Sequence, residues 1–417
     1  MVDKVIAVGL VLPDLTRTVA EEHLEELTKL IETAGGAVAE RVLAKRQRPD
    51  PATFVGSGKA EQVESLVRKH GATLVVFDDD LSPAQVRNLE KIIGVQVIDR
   101  SALILQIFAN RARSRESRTQ VELAQLEYAL PRLTRQWSHL SRQTGGAGAK
   151  RGVGETQLEM DRRIVRTRIA RLKDDLAKIE QNRRTQRKSR DAAFTVALVG
   201  YTNAGKSTLF NRLTRGSAEA IDKLFATLDA KSQRAAFDAP RDTVIIDTVG
   251  FIRKLPHHLV ASFRSTMEEA VAADLVLHVI DFSHPQSAEQ RQVGRQVLAD
   301  LGVETERVID VYNKSDRVYD QFLTPRGSVV VSALTGDGIG ELTDTIRARE
   351  RSGGELMRIE VPHEDSRAAA RLHEVAEIYQ EIVTDRTTIF RAWVPRDAVH
   401  LFAAYSADHL LEAAEAK

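Results

Sequence analysis

Residues 194–214 constrain the fold more than any other part of the chain, because a strand pattern, a glycine-containing loop and a helix pattern follow one another there. The apolar run FTVALVG leads into G-Y-T-N-A-G-K-S at 200–207, and TLFNRL comes next. A G-x-x-x-x-G-K-S loop in this context cradles phosphates with its backbone N–H groups and the helix N-terminus. Lys206 is predicted to neutralise the β- and γ-phosphates, and the Ser207 hydroxyl to bind Mg²⁺. The segment predicts a nucleotide-binding α/β domain with a mainly parallel sheet.

A second motif, D-T-V-G at 247–250, follows the strand pattern TVIID. A carboxylate at that strand end can hold Mg²⁺, usually through water, and the N–H of Gly250 can sense the γ-phosphate. Thr227, in the segment F-A-T-L-D at 225–229, is the candidate for the threonine whose hydroxyl completes the Mg²⁺ shell. Lys206, Thr227 and Gly250 are therefore predicted to be catalytic, and Ser207, Thr227 and Asp247 to bind the metal.

Two further motifs indicate the base. Asn313-Lys-Ser-Asp316 follows the strand pattern RVIDVY, and Ser332-Ala-Leu334 follows SVVV. The carboxylate of Asp316 can accept hydrogen bonds from guanine N1–H and the N2 amine, whereas adenine would leave it unpaired, so GTP is expected rather than ATP. Ala333 is predicted to donate its N–H to guanine O6. The residues predicted to bind the nucleotide are Gly200, Tyr201, Thr202, Asn203, Ala204, Gly205, Lys206, Ser207, Thr208, Phe225, Ala226, Thr227, Leu228, Asp229, Asp247, Thr248, Val249, Gly250, Asn313, Lys314, Ser315, Asp316, Ser332, Ala333 and Leu334.

One catalytic group is missing from this pattern. After the glycine of the D-x-x-G motif many GTPases carry a glutamine that orients the attacking water, and here the residue is Phe251. A phenyl ring cannot do this, so slow intrinsic hydrolysis is expected, with the missing group supplied by another residue or by a partner.

Charge is distributed very unevenly along the chain. The net charge of +1 conceals a segment, 111–190, with 21 Lys or Arg and 9 Asp or Glu, while the remainder holds 39 basic and 50 acidic residues. Such a block is typical of a contact with nucleic acid or another polyanion. A solvated helix face is the alternative that charge alone leaves open.

The same segment has a helical pattern. Apolar residues recur at steps of three and four from Leu123 to Leu140, with Pro131 predicting a kink, and again from Val165 to Ile179. Five glycines lie between 145 and 154, so a long antiparallel hairpin with a glycine-rich tip is predicted. A dimerisation coiled coil is the other interpretation, although the excess of one charge sign argues against self-pairing.

A length of 417 residues suggests two to four domains, and the pattern along the chain predicts four. They are an N-terminal α/β domain at 1–112, the basic hairpin arm at 113–191, the P-loop GTPase domain at 192–352 and a small C-terminal α+β domain at 353–417. The turn Gly56-Ser-Gly-Lys59 is expected to be an ordinary strand-to-helix turn. The absence of cysteine excludes disulfides and thiolate catalysis, and the apolar run near the N-terminus is too short to span a membrane, so the cytoplasm is expected.

These motifs, with the arm sequence G-E-T-Q-L-E at 154–159 and the turn F-V-G-S-G-K at 54–59, closely resemble the HflX family of bacterial GTPases. The resemblance implies binding of GTP, GDP and Mg²⁺, contact of the N-terminal domain and arm with RNA of the large ribosomal subunit, hydrolysis stimulated by the ribosome, and splitting of ribosomes under stress. A monomer is expected when the protein is free. Two alternatives stay open: an RNA-dependent NTPase that remodels RNA using ATP or GTP, and a switch for a protein effector with a coiled-coil arm.

Overall fold

The computed structural model describes residues 3–133, 157–188, 193–214, 216, 224–225, 227, 229–237, 242–254, 269–318, 324–396 and 398–406. Contacts within the chain divide it into two units. Unit 1 comprises 1–184, 221–229 and 249–267, and unit 2 comprises 185–220, 230–248 and 268–417.

A four-stranded parallel sheet forms the centre of unit 1. Its strands, in the order β2-β1-β3-β4, are β1 Lys4–Val11, β2 Ala37–Lys45, β3 Leu74–Phe77 and β4 Gln96–Asp99. The central strands β1 and β3 are apolar and almost wholly buried, as expected for a parallel sheet covered on both sides. Helix α1 (Arg17–Ala34) covers one face, and α2 (Ser57–His70) and α3 (Pro83–Ile93) cover the other. Gly56 precedes α2 as its N-cap, so the turn at 54–59 begins a helix, as predicted.

Helix α4 (Arg100–Arg111) joins α1 on its face of the sheet. The sequence did not predict it, because its apolar residues follow one another instead of recurring at helical spacing. Asp99 caps it by accepting from the N–H of Ala102 (2.9 Å). The same buried carboxylate accepts from the Tyr128 hydroxyl (2.8 Å) and from Arg132 Nη2 (3.1 Å), so it fixes the part of the arm around 128–132 to the sheet.

The arm begins with α5 (Arg115–Ala129), and a 3₁₀ turn (Leu130–Arg132) ends it at the predicted kink around Pro131. Helix α6 spans Gln157–Lys188, and within it Val165 and Leu172 are buried as the seam predicts. Ion pairs join Glu122 to Arg168 (2.7 Å) and Glu127 to Lys173 (2.9 Å). The pairs advance in the same direction along both helices, so α5 runs alongside α6 in parallel. Over 115–129 the predicted antiparallel pairing with α6 is therefore wrong. The segment 134–156, which contains the tip, lies outside the described residues, so a hairpin between that segment and α6 stays a prediction.

Unit 2 contains a six-stranded sheet in the order β10-β9-β8-β5-β7-β6. Its strands are β5 Phe194–Gly200, β6 Lys231–Arg234, β7 Thr243–Asp247, β8 Leu275–Asp281, β9 Val308–Asn313 and β10 Val329–Val330. Every pairing is parallel except β6 with β7, which confirms the predicted mainly parallel sheet. Helices α7 (Lys206–Thr214), α8 (Ser287–Asp300) and α9 (Ile339–Ser352) belong to this part of the unit.

The C-terminal part of unit 2 is a three-stranded antiparallel sheet with two helices, as the predicted α+β module requires. The strands are β11 Gly354–Pro362, β12 Glu377–Val383 and β13 Thr387–Pro395, with β13 central. Helices α10 (Ser366–Val375) and α11 (Val399–Phe402) contribute to its apolar core. Within the described part of the chain, no helix is long and apolar enough to cross a bilayer.

Candidate nucleotide-binding site

The phosphate loop connects β5 to α7, and its first and last glycines are required by the backbone. Gly200 has φ 142°, and a Cβ there would lie 2.1 Å from the carbonyl oxygen of Val279. Gly205 has φ 89°, and a Cβ there would lie 2.2 Å from Nδ2 of Asn313. A side chain at either position would collide with its neighbour and would strain the backbone. The loop thus has the strand-loop-helix setting that its sequence predicts.

Lys206 is buried, and its ammonium lies against the loop itself. Nζ donates to the carbonyl oxygens of Gly200 (3.0 Å) and Tyr201 (2.8 Å). Burial lowers the pKa of Lys206 to about 8, while the negative charge of Asp247 opposes this fall. The lysine is therefore held at the loop where phosphate oxygens would pair with it.

The next residue, Ser207, meets the end of β7. Its hydroxyl donates to Oδ2 of Asp247 (2.8 Å), and Asp247 is only 1% exposed. The hydroxyl of Thr248 donates to the carbonyl oxygen of Leu198 (2.7 Å) and ties β7 to β5 at this point. A hydroxyl and a carboxylate in contact are hard oxygen ligands, which fit Mg²⁺ when phosphate oxygens complete its shell.

Asn313 joins the phosphate loop to the base end of the site. Its Nδ2 donates to the carbonyl oxygen of Ala204 (2.9 Å), and its Oδ1 accepts from the N–H of Ala333 (2.9 Å). The N–H predicted to bind guanine O6 is thus used by Asn313 in this structure. Asp316 Oδ1 accepts from the hydroxyl of Ser332 (2.6 Å), so the carboxylate is oriented by the S-A-L loop.

Lys314 adopts the left-handed conformation, with φ 68°. Its Nζ donates to Oδ2 of Asp281 at the end of β8 (2.6 Å). Arg212 of α7 donates to the carbonyl oxygens of Ala333 (3.2 Å) and Leu334 (2.6 Å). Unit 2 thereby brings together the residues predicted to bind the phosphates and those predicted to bind the base.

The remaining predicted site residues belong to unit 1. We call residues 221–229 switch segment I and residues 249–267 switch segment II. Segment I contains Thr227, which is 7% exposed, and Phe225, whose ring meets Phe108 edge to face at 4.6 Å between centroids. Segment II contains Val249, Gly250 and Phe251, and the ring of Phe251 is buried. Ala226 and Leu228 lie outside the described residues.

The Asp229 carboxylate, predicted to belong to the nucleotide site, is held by the arm. It accepts from the N–H groups of Arg113 (3.3 Å) and Ser114 (3.2 Å) and from the Ser114 hydroxyl (2.5 Å) at the start of α5. Hydrogen bonds from Ser114 and Ser117 outweigh the effect of burial and lower the pKa of Asp229. No motif in the sequence indicated this contact.

The acidic run Asp78-Asp79-Asp80 at the end of β3 was also missed, and Lys254 of segment II binds there. Three consecutive Asp residues directly after a strand pattern were the sequence feature that could have predicted a site for a cation there.

Comparison with known proteins agrees with this geometry. Three family models match consecutive parts of the chain: "GTP-binding GTPase N-terminal" over residues 21–109, "GTP-binding GTPase Middle Region" over 111–190 and "50S ribosome-binding GTPase" over 195–314. GTPase HflX of Magnetococcus marinus is 43% identical over 387 residues, which cover 91% of this chain and 89% of that protein. GTPase HflX of Escherichia coli strain K12 is 43% identical over 373 residues, 86% of each chain.

Among solved structures, a GTP-binding protein from the archaeon Sulfolobus solfataricus in complex with GDP is 24% identical. The match covers 83% of this chain and 98% of that chain, with a TM-score of 0.45. The curated relatives carry the family assignment. Because 91% of this chain matches one member at 43% identity, and because unit 2 assembles the phosphate and base motifs, this chain belongs to the HflX family of GTP-hydrolysing P-loop proteins.

Proposed function

We propose that this GTPase binds the large ribosomal subunit through its basic arm, hydrolyses GTP faster when bound, and separates ribosomal subunits under stress. Support comes from the relatives, from the family description "50S ribosome-binding GTPase", and from the excess of basic residues in 111–190. Exposed arginines along α6, such as Arg166 and Arg171, provide the phosphate contacts. The protein acts as a monomer in the cytoplasm.

We assign to each residue of the site the role that its sequence motif predicts. Lys206 neutralises the β- and γ-phosphates, and Ser207 and Asp247, joined by Thr227, hold Mg²⁺. Bound there, Mg²⁺ would supply positive charge against the negative charge that develops on the phosphate oxygens during hydrolysis. Asp316 selects guanine, because its carboxylate matches the N1–H and N2 donors that adenine lacks. Gly250 presents its N–H to the γ-phosphate.

The observation that best supports stimulation of hydrolysis by the ribosome is the phenyl ring of Phe251. Its ring occupies the position after Gly250 and is buried, 4% exposed, so it offers no polar atom to orient water. A partner that supplies or positions the missing group can raise the rate roughly 10³- to 10⁵-fold. The large subunit is the partner that we favour, because the basic arm would bind its negatively charged RNA.

The test is GTP turnover with and without purified large subunits, for the full chain and for a variant lacking 141–154. Stimulation of the full chain and its loss in the variant are the expected results. Conversion of 70S ribosomes to free subunits is followed in parallel by gradient sedimentation. Fast turnover without any partner would contradict the proposal, and equal use of ATP would favour the RNA-dependent NTPase instead.

A further inference from the structure

Both switch segments of this GTPase belong to unit 1, although their motifs are predicted to bind the nucleotide. Val249 and Ile252 of segment II lie in the apolar core formed by α1, α4 and the sheet, together with Phe225 of segment I. Val249 is 3% exposed and Ile252 is 5% exposed. The described apolar residues of both segments therefore share one core with the N-terminal sheet and its helices.

Segment II also enters a pocket of charges. We define the acidic pocket as Glu26 of α1 with Asp78 and Asp79, which follow β3. Arg100 lies among them and donates to Asp78 (2.6 Å) and to Glu26. Lys254 donates to Asp78 Oδ2 (2.8 Å) and to Asp79 Oδ1.

Two neighbouring groups complete the surroundings of the pocket. Arg253 Nη2 lies 3.9 Å from Glu26 Oε2. His23 of α1 lies 4.0 Å from Asp78.

The balance of charge in the acidic pocket explains why basic residues of segment II bind there. Three carboxylates surround a single guanidinium in the N-terminal residues, and Asp78 and Arg100 are each 3% exposed at their side chains. Leaving buried carboxylates without cations is costly. Arg253 and Lys254 provide the two missing positive charges. Burial raises the pKa of Asp79, and the charge of Lys254 opposes that rise.

We propose that the acidic pocket is a coupling site, in which binding of Arg253 and Lys254 makes the ribosome affinity of the arm depend on the nucleotide. The inference rests on the proposed function. Lys254 lies only four residues after Gly250, whose N–H is proposed to sense the γ-phosphate. The nucleotide and the acidic pocket therefore both act on this short segment. Coupling of this kind is reciprocal: the nucleotide changes occupancy of the pocket, and the pocket changes the response to the nucleotide.

Switch segment I provides a second connection to the arm. Asp229 lies two residues after Thr227 and receives three hydrogen bonds from the start of α5. The far end of α5 is held by Asp99 through Tyr128 and Arg132. A helix fixed at both ends transmits a displacement of either one.

The first test measures affinity for purified large subunits with GDP and with a non-hydrolysable GTP analogue. The variants are Lys254→Met, Asp79→Asn and the double variant, and Lys254→Arg keeps the charge. Lys29→Met is the matched control, because Lys29 pairs with Glu25 on the exposed side of α1 (3.2 Å). Thermal unfolding checks that each variant is folded.

We expect the two affinities of the native chain to differ by roughly 5- to 150-fold. This ratio falls toward one in Lys254→Met and Asp79→Asn, the double variant resembles either single one, and Lys254→Arg and Lys29→Met keep the native ratio. If Lys254→Met fails to fold, Asp79→Asn, which preserves side-chain shape, carries the test. Folded variants that keep the native ratio would overturn the inference and leave the pocket as a structural ion cluster.

The second test uses the free protein and separates the inference from the proposed function. Hydrogen exchange of 78–80 and 249–254 is compared between GDP and the GTP analogue. A nucleotide-dependent change in the native chain, lost in Lys254→Met, is expected even if no large subunit binds. Failure of the native chain to bind large subunits would refute the proposed function alone, whereas unchanged exchange would refute the coupling site.

Discussion

The protonation of Lys206 makes nucleotide binding sensitive to pH. Its pKa of about 8 means that the free site loses its positive charge as the pH rises through 8. Bound phosphates favour the charged form, so binding above pH 8 requires uptake of a proton. We expect GDP affinity to be constant from pH 7 to 7.5 and to fall by up to about tenfold per pH unit above 8.

Calorimetric titrations in buffers of different ionisation enthalpy measure that proton uptake directly. An affinity that stays flat to pH 9.5, with no proton uptake, would contradict the assigned pKa. Circular dichroism at each pH controls for unfolding.

Asp316 is expected to determine affinity for the guanine base. Asp316→Asn replaces a charged acceptor by an amide and removes hydrogen bonds worth about 1.5–3 kcal/mol, or roughly 10- to 150-fold in GDP affinity. Asp337→Asn is the matched control, because Asp337 lies five residues beyond Ser332 and its carboxylate accepts only from Thr335 among the side-chain contacts described. Equal affinities of the two variants for labelled GDP would remove Asp316 from the base site.

At the scale of single residues, the sequence predicted the motif residues that unit 2 brings together and missed the contacts that hold the switch segments in unit 1. The roles of Gly200, Gly205 and Lys206 could be predicted because the eight residues of the loop motif contain all that its backbone conformation requires. The Ser114–Asp229 and Asp79–Lys254 contacts join residues 115 and 175 positions apart. No periodicity or motif relates such positions, and only the folded chain reveals them.

Helix α8 packs against the six-stranded sheet through a glycine. A Cβ on Gly294 would lie 2.2 Å from Nε2 of His278, a side chain that is fully buried on β8. Nδ1 of His278 is 2.9 Å from Asp310, which also accepts from Arg291 (2.7 Å) and Arg295 (3.0 Å) of α8. Burial lowers the pKa of His278, so the ring is neutral where it meets the helix.

We therefore expect Gly294→Ala to destabilise the protein by about 1–3 kcal/mol, because the added methyl group overpacks a closed contact. The matched control is Gly340→Ala in the first turn of α9, where nothing lies within 4 Å of the position that the added methyl group would take. Denaturant unfolding measures both variants. Equal stabilities would show that α8 can move away from the sheet without cost.

The clarity of the sequence pattern differs from one element to the next. The alternation of strands and helices at 4–99 is clear in the sequence, because each apolar run is bounded by turn residues or helix caps such as Ser82. Helix α4 and strand β6 were missed, since α4 is apolar on several sides and β6 reads K-S-Q-R. The direction of α5 relative to α6 depends on which helices meet in the fold, and heptad spacing contains no such information.

For the whole molecule, the charge of the arm predicts a strong dependence of ribosome binding on salt. Each phosphate contact contributes a slope of about one in a plot of log affinity against log salt. Arg166→Gln with Arg171→Gln is expected to reduce that slope by about two. Arg68→Gln is the control, because Arg68 is 82% exposed in α2 and pairs with Glu64.

Sedimentation with large subunits from about 50 to 300 mM salt, the range over which such contacts weaken, provides the measurement. An unchanged slope in the double variant would place the contact elsewhere than along α6. A slope near zero for the native chain would favour a protein effector and a coiled-coil arm.

The four-domain division at 112, 191 and 352 stays a prediction. The contacts within the chain show that two segments are grouped differently in space. Segments 221–229 and 249–267 lie inside the predicted GTPase domain in sequence but belong to unit 1 in space. The reason is apolar packing: Phe225, Val249 and Ile252 contribute to a core most of whose other members lie before residue 125. Sequence proximity to a motif does not determine the core in which a side chain is buried.

This arrangement has a consequence for anyone who dissects the protein with a truncation. A piece cut at 192 and 352 would keep every nucleotide motif but would expose to water four apolar side chains of this core, those of Leu224, Phe225, Val249 and Ile252, at roughly 1.5–3 kcal/mol for each. Such a piece would aggregate or change the conformation of its switch loops. Its turnover rate would then differ from that of the intact protein for reasons unrelated to catalysis.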